Sequence, residues 1–457
     1  MNFNSLKVKR KILFLSTNHT TINEHINLCN ILDDRFDKYL YSFESLENYY
    51  IDKSIRVIEN IDSNKKNQKI NQNKNALIKS KIIDRIKLLI VNTSAYYLIK
   101  LNTLIKIEKS KIKKANYLFD YLEQYVLPDV VVVPNDRSEI LILLLIKKFK
   151  RRNIKTVIVP TSFLSGPERL IASRYNRIEY ITKLHLLFFK KFKNLYYTIG
   201  NRKISFYPFH QMIVFESDVL STNPWAIGSG NIDEIFVDGS HTKNTLVSLG
   251  VKCEKIIITG HHSHDRLYNN IINSQKRYED FIKKNHSSKN KKILVIALPH
   301  FGEHGLISWD EHFKVLNLIC ATLSQLKDIF VIVSLHPKMN KNNYSFLKEK
   351  YNLKISDKPL VEIVHLADFF ISTYSSTVYW ALLCNIKCGI INFKILNYSD
   401  MDWIGCLKVF NSKTNFNAEI LDFVKNSKLE VNKNVLSDIA PFDGNSSVRI
   451  SNRLLNI

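Results

Sequence analysis

Residues 329–338 read IFVIVSLHPK and residues 368–383 read DFFISTYSSTVYWALL. Each is a short β-branched and aromatic run that ends abruptly in polar groups: His336, Pro337 and Lys338 in the first, Ser375, Ser376 and Thr377 in the second. Apolar runs of this length and composition read as strands. Pro337 ends the first because it has no N–H to give the ladder. Val378, Ala381 and Leu382 follow the serines at helical spacing, so the second stretch is a strand–turn–helix unit. Two such units in succession predict a parallel sheet, and in open α/β sheets ligands gather at the carboxyl ends of the strands. The pair therefore points to a nucleotide-dependent enzyme.

Outward from these stretches the same alternation covers the chain. The first half carries the apolar runs KILFLS (11–16), KYLYSF (38–43), IRVIE (55–59), DVVVVP (129–134), KTVIVP (155–160), QMIVFE (211–216), EIFVD (234–238) and KIIITG (255–260). The second half carries KKILVIALP (291–299), NLKIS (352–356) and CGIINF (388–393) besides the two already quoted. Strands separated by helical stretches are the pattern of βαβ units. With 457 residues the chain is long enough for two cores. The linker is expected between Gly260 and Lys291, where GHHSHD (260–265) and the polar cluster NHSSKNKK flank a helix. DSNKKNQKINQNKN (62–75) reads as a polar insertion, and Leu77, Ile82, Ile86, Leu89 and Ile90 after it make an apolar helical stripe.

Composition narrows the function. Six scattered cysteines without a CxxC pair read as reduced packing residues in a cytosolic protein. Lys7, Lys9 and Arg10 lead into KILFLS, and the longest apolar run, Ile140 to Ile146, is too short to cross a bilayer. The expectation is a cytoplasmic protein, peripheral to the inner face of the membrane at most. The net charge is +24, yet no zinc-finger spacing or RNP-like motif accompanies it, so nucleic acid is not the expected partner. Between Arg169 and Lys203 nine basic residues face only Glu179 and are interleaved with aromatics. An anionic membrane surface, which rewards each basic residue by about 1 kcal/mol, is one reading of that segment, and a solvated helical face is the other.

The strand ends supply the candidate residues. His336 can donate to a phosphate or ribose oxygen, and Lys338 adds a point charge. Ser375, Ser376 and Thr377 offer three hydroxyls, of which helix capping would use one. Glu362, on a helix expected within DKPLVEIVHLAD (357–368), is a candidate ribose contact. HFGEH (300–304) fits an H-x-x-E-H pattern, but Pro299, Gly302 and Gly305 make it a loop, so no zinc site follows. His300 is then a donor-side candidate, and Glu303 or His304 an acid or base. Asp136, after DVVVVP, is placed to act as general base on an acceptor hydroxyl, with capping of the next helix as the alternative. STNPW (221–225), Gly228, Gly230 and Asp238-Gly239 read as loops with turn chemistry, Asn223, Pro224 and Trp225 lining the acceptor side.

The HP and SS motifs on successive strand ends resemble those of bacterial sialyltransferases, polysialyltransferases and capsule Kdo transferases of the GT-B fold. CDP-glycerol glycerophosphotransferases are similar in the same region. The resemblance covers mainly residues 290 to 395, and less closely 211 to 265. It implies two Rossmann-like domains facing a cleft: an acceptor domain over residues 1–265 and a nucleotide-donor domain over 266–457. It also implies that His336 and Ser375/Ser376 touch a CMP- or CDP-activated donor, with a surface or capsular polysaccharide, or a lipid-linked precursor, as acceptor. GT-B enzymes need no bound metal, and no cofactor is expected beyond the nucleotide-sugar substrate. Val237-Asp238-Gly239 holds only one of the two acids of the sialyltransferases' base motif. HFGEH is similar to the HRxEN loop of UDP-GlcNAc 2-epimerases, which leaves an epimerase as the alternative, beside a non-catalytic binding protein of the same fold.

Overall fold

The computed structural model describes residues 9–58, 94–159, 179–180, 194–199, 202–215, 218–273, 276, 278–281, 291–336, 339–395, 398–425 and 432–457. Lys338, the polar insertion, the stripe at 77–90 and most of the basic segment lie outside them. Two compact units emerge. Unit 1 comprises Met1–Val237, Lys243–Ile258 and Ile450–Ile457; unit 2 comprises Asp238–Thr242 and Thr259–Arg449. The units are interleaved in sequence, whereas a single boundary at 265 is what the sequence suggests.

Unit 1 is built on seven parallel strands: β1 (Arg10–Ser16), β2 (Phe36–Ser42), β3 (Ile55–Ile58), β4 (Val130–Val133), β5 (Lys155–Ile158), β9 (Glu234–Val237) and β10 (Ile256–Ile258), in the order β10-β9-β5-β4-β1-β2-β3. Their side chains alternate between two buried faces, as a sheet covered on both sides requires. Leu13, Leu15, Val131 and Val133 pack against Leu118 and Leu122 of α2 (Ser94–Tyr125) and Ile142, Leu145 and Phe149 of α3 (Ile140–Arg151). Ile12, Phe14, Val130 and Val132 pack against Ile22 and Ile26 of α1 (His19–Ile31) and against Ile450 and Leu454 near the carboxyl terminus.

A small antiparallel sheet sits beside this core: β6 (Glu179–Tyr180), β7 (Tyr196–Ile199) and β8 (Arg202–Ser205) in the order β6-β8-β7. The described parts of the basic segment are thus strands, not a helical face. QMIVFE also departs from expectation: its described residues, 211–215, lie in the helix α4 (Phe209–Val214) and its exit, not in a strand. Pro208 stands at its start with φ −58°, a value the ring fixes and a helix accepts. Phe209, His210 and Met212 are buried while Ile213 is exposed, a helical rather than a two-residue period.

Unit 2 repeats the architecture with β11 (Lys292–Ala297), β12 (Ile329–Ser334), β13 (Lys354–Ile355), β14 (Phe369–Ser372), β15 (Lys387–Ile391) and β16 (Lys408–Phe410), all parallel, in the order β13-β12-β11-β14-β15-β16. The strand order reverses beside the first strand of the unit, between β11 and β14, which is the arrangement of doubly wound nucleotide-binding sheets. Leu294, Ile296, Val331, Val333, Phe369 and Ile371 join Val315, Leu316 and Ile319 of α7 (Trp309–Ser324) in its core. Helices α5 (Ser240–Ser248), α6 (His262–Ile272), α8 (Phe346–Glu349), α9 (Thr377–Leu383), α10 (Phe416–Lys425), α11 (Lys433–Ile439) and α12 (Ser446–Asn456) are the other α-helices among the described residues. The helix expected over 357–368 is replaced by two 3-10 turns, Leu360–Glu362 and Val364–Leu366. The Val361 carbonyl, which an α-helix would keep for His365, accepts instead from the Asn270 side chain at 2.9 Å.

Candidate functional site

In unit 2 the strand order brings three loops together at the carboxyl edge. His336 lies two residues past β12, His300 three past β11 and Ser375 three past β14, and these strands are neighbours in that order. The rings of His300 and His336 stack nearly parallel, 4.2 Å apart and 11° inclined, and His304 meets His300 edge-on at 4.4 Å. The Met339 amide donates to the His336 carbonyl at 2.8 Å. His304 is exposed and His300 half-buried.

Beside them the serine cluster is ordered by its own hydroxyls. The Thr377 amide and hydroxyl both donate to Ser375 Oγ, at 3.3 and 3.0 Å, and Ser376 makes no cap bond although it stands before α9. Ser375 therefore fulfils the capping role, and the half-buried Ser376 and Thr377 hydroxyls lie at the same strand end.

Two candidates are turned elsewhere. The Glu362 carboxylate pairs with Arg266 of α6, so it is engaged in holding the 3-10 turn rather than free for a ribose. The Glu303 side chain points inward: it accepts from the Tyr344 hydroxyl and is 10% exposed. A cavity of about 730 Å³ lined by Lys291, Lys327, Ile329, Phe330 and Lys354 lies where β11 to β13 begin, at the opposite edge from the histidines.

In unit 1 the corresponding reversal lies between β1 and β4. Asp136 is not at its mouth. Its side chain is fully buried, with Oδ1 accepting from the Gly228 amide at 2.9 Å and Oδ2 from the Gly230 amide at 2.6 Å. Burial pushes its carboxyl above the ordinary carboxylate range, against the pull of those two amides. Gly230 is required there, since a Cβ would stand 2.6 Å from the Asp136 carbonyl. Asp136 thus ties down the 228–230 loop. Asn135, not Asp136, caps the following turn, accepting from the Ser138 amide at 2.9 Å.

The carboxylate at this edge is Glu139, three residues on. Its Oε1 accepts from Thr17 Oγ1, just past β1, at 2.9 Å, and burial raises its carboxyl. Below it Ser16 Oγ and His25 Nδ1 are 2.8 Å apart, both buried. Nothing local marks Glu139, whose partner is 122 residues away; a glutamate immediately before the helix that follows DVVVVP was the available signal.

Trp225 is buried against Phe206 and its carbonyl accepts from Arg137, while Asn223 donates to the Leu249 carbonyl at 2.7 Å. His261 and His264 form a capping box at the start of α6, and Asp265 accepts from the Ser446 and Ser447 amides opening α12. Asp238 is 2% exposed, and burial pushes its carboxyl up to about 7. Among the described residues no helix is long and apolar enough to cross a membrane.

No family model and no curated protein sequence matches the chain. Solved structures do. A variant of the wall teichoic acid polymerase TagF superposes with a TM-score of 0.53 at 11% identity, covering 98% of this chain and 89% of that one. The same enzyme soaked with CDPG gives 0.52 at 12% identity over 98% and 90%. A Listeria monocytogenes protein assigned as a UDP-N-acetylglucosamine 2-epimerase gives 0.50 at 12% identity over 97% and 95%. The fold is GT-B-like. At these identities the likeness speaks for the architecture, and in a GT-B-like chain the reversal points just described are where chemistry is to be sought.

Proposed function

We propose that this GT-B-like chain is a transferase that moves a sugar or polyol phosphate from a nucleotide-activated donor, CMP- or CDP-linked, onto a surface polysaccharide acceptor. The observation that carries the reading is the meeting of His300, His336 and the Ser375–Thr377 hydroxyls at neighbouring strand ends beside the β11/β14 reversal. Imidazole N–H groups and hydroxyls are short-range donors suited to phosphate oxygens, and a leaving nucleotide needs its growing negative charge met by such groups. Likeness in fold to TagF supports a transferase. In this reading unit 2 binds the donor, with Lys338 as a further phosphate contact, and unit 1 the acceptor. Glu139, held by Thr17, replaces Asp136 as the carboxylate that takes the acceptor hydroxyl's proton. His304, exposed beside His300, is left as the acid or base on the donor side.

Transfer is balanced simply. The acceptor O–H gives its proton to the carboxylate, its oxygen bonds to the donor's reacting centre, and the nucleotide phosphate leaves with the electron pair. A membrane-facing role for the basic segment and a place in capsule assembly belong to the same proposal. A sugar-nucleotide 2-epimerase is the second reading, supported by the fold likeness to the Listeria protein.

Thermal-shift titration with CMP, CDP, UDP, GDP and ADP tests the donor, repeated on His336→Ala. A ligand bound only by the native state raises the melting temperature. Stabilisation by a cytidine nucleotide that is lost in the variant is the expected result. A response to UDP alone, with conversion of UDP-GlcNAc in the absence of any acceptor, favours the epimerase; no response to any nucleotide refutes both.

A further inference from the structure

Behind the histidines, unit 2 holds an enclosed polar triangle that the donor site does not use directly. Tyr344 and His312 are both fully buried. The Tyr344 hydroxyl donates to Glu303 Oε1; His312 Nε2 stands 3.6 Å from Glu303 Oε2 and 3.4 Å from the Tyr344 oxygen. Each corner belongs to a different segment. Glu303 sits on the loop after β11 between His300 and the start of α7, Tyr344 ends the 3-10 turn Lys341–Tyr344 downstream of His336, and His312 lies in the first turns of α7.

The triangle therefore fastens the loop carrying His300 to the loop carrying His336. Packing closes the same joint. Phe301 is buried in the core, and a Cβ on Gly302 would stand 3.0 Å from both the His312 and Trp309 rings, so the loop lies flat on α7. We propose that Tyr344 and His312 are positioning residues, which hold Glu303 inward so that His300 and His336 keep the stacked geometry that receives a nucleoside diphosphate. The chemistry suits a fixed brace. Burial, reinforced by the Glu303 carboxylate, raises the Tyr344 phenol so that it stays a donor, and burial holds His312 toward its neutral form against the pull of Glu303. Glu303 is then a strut and not the acid or base that its place in HFGEH suggests.

The inference rests on the donor-site reading above, and its test separates the two. Dissociation constants for CDP and UDP are measured by calorimetry on the full chain and on Tyr344→Phe, Glu303→Ala and Glu303→Gln, at a temperature where each is folded. Hydrogen exchange is followed over residues 299–307. Partners that orient ligating groups at metal sites contribute about tenfold or more, and the same scale is expected for a brace behind two phosphate-binding imidazoles. Tyr344→Phe and Glu303→Ala should weaken the bound nucleotide about tenfold and speed exchange in 299–307. Glu303→Gln, which still accepts from Tyr344, should recover most of that loss. Wild-type affinity in Tyr344→Phe overturns the inference, as does a Glu303→Gln variant no better than Glu303→Ala. If the unaltered chain binds neither nucleotide, the donor reading falls, and unchanged exchange in Tyr344→Phe then refutes the brace on its own. Should Tyr344→Phe fail to fold, His312→Gln carries the same comparison.

Discussion

Replacing Asp136 by alanine separates a structural carboxylate from a chemical one. Its two oxygens satisfy the Gly228 and Gly230 amides, and the group has no exposed surface. Alanine would leave the buried Gly228 N–H and the half-buried Gly230 N–H without acceptors, the first costing about 1–3 kcal/mol and the second less. Against that, the variant no longer desolvates a carboxyl that burial already drives toward its protonated form, so the net loss should be about 2–4 kcal/mol. That is a large part of the 5–15 kcal/mol typical of a folded domain. Asparagine should recover little, because its amide oxygen can serve one glycine while its NH₂ would face the other N–H. Urea unfolding at pH 7, followed by circular dichroism, measures the loss directly. Stability within about 0.5 kcal/mol of the parent chain together with abolished transfer would refute the reasoning and return Asp136 to the role of base.

Two further outcomes follow from the carboxyls. Asp238 titrates near 7 when folded and near 3.9 when unfolded. Between these values the folded chain holds a proton that the unfolded chain has lost, so its contribution to stability is complete below pH 4 and disappears as pH rises through 7. Asp238→Asn should match the parent at pH 4 and exceed it at pH 8, by about 4 kcal/mol at most; equal stability at pH 8 would contradict this. Glu139→Gln should lower kcat by a hundredfold or more while leaving the nucleotide dissociation constant unchanged; an unaltered kcat would remove Glu139 from the chemistry.

What the sequence discloses and what it hides divide along a physical line. The two parallel sheets were legible because central strands buried on both faces must be continuous β-branched runs, and VVVV at β4 or FVIVS within β12 permits little else. QMIVFE has the same composition, but six such residues satisfy either period, and only the partners of Met212 decide between helix and strand. Strand ends were legible too, so His300, His336 and Ser375 could be placed at them, although their convergence depends on β11 lying between β12 and β14.

The direction in which an acidic side chain points at such an end is settled by distant partners and has no local signature. Asp136 is claimed by a loop 92 residues later, Glu303 by Tyr344 41 residues later, and Glu139 is met by Thr17 from far upstream. A carboxylate that finds amide or hydroxyl donors inside the fold is drawn inward and becomes a strut. One whose donors converge on a single oxygen at the sheet edge, as Thr17 and Asn135 do on Glu139 Oε1, keeps its other oxygen for an acceptor. By that criterion Glu139, and neither of the acids closest to a recognisable motif, is the carboxylate whose replacement should stop transfer without loosening the fold.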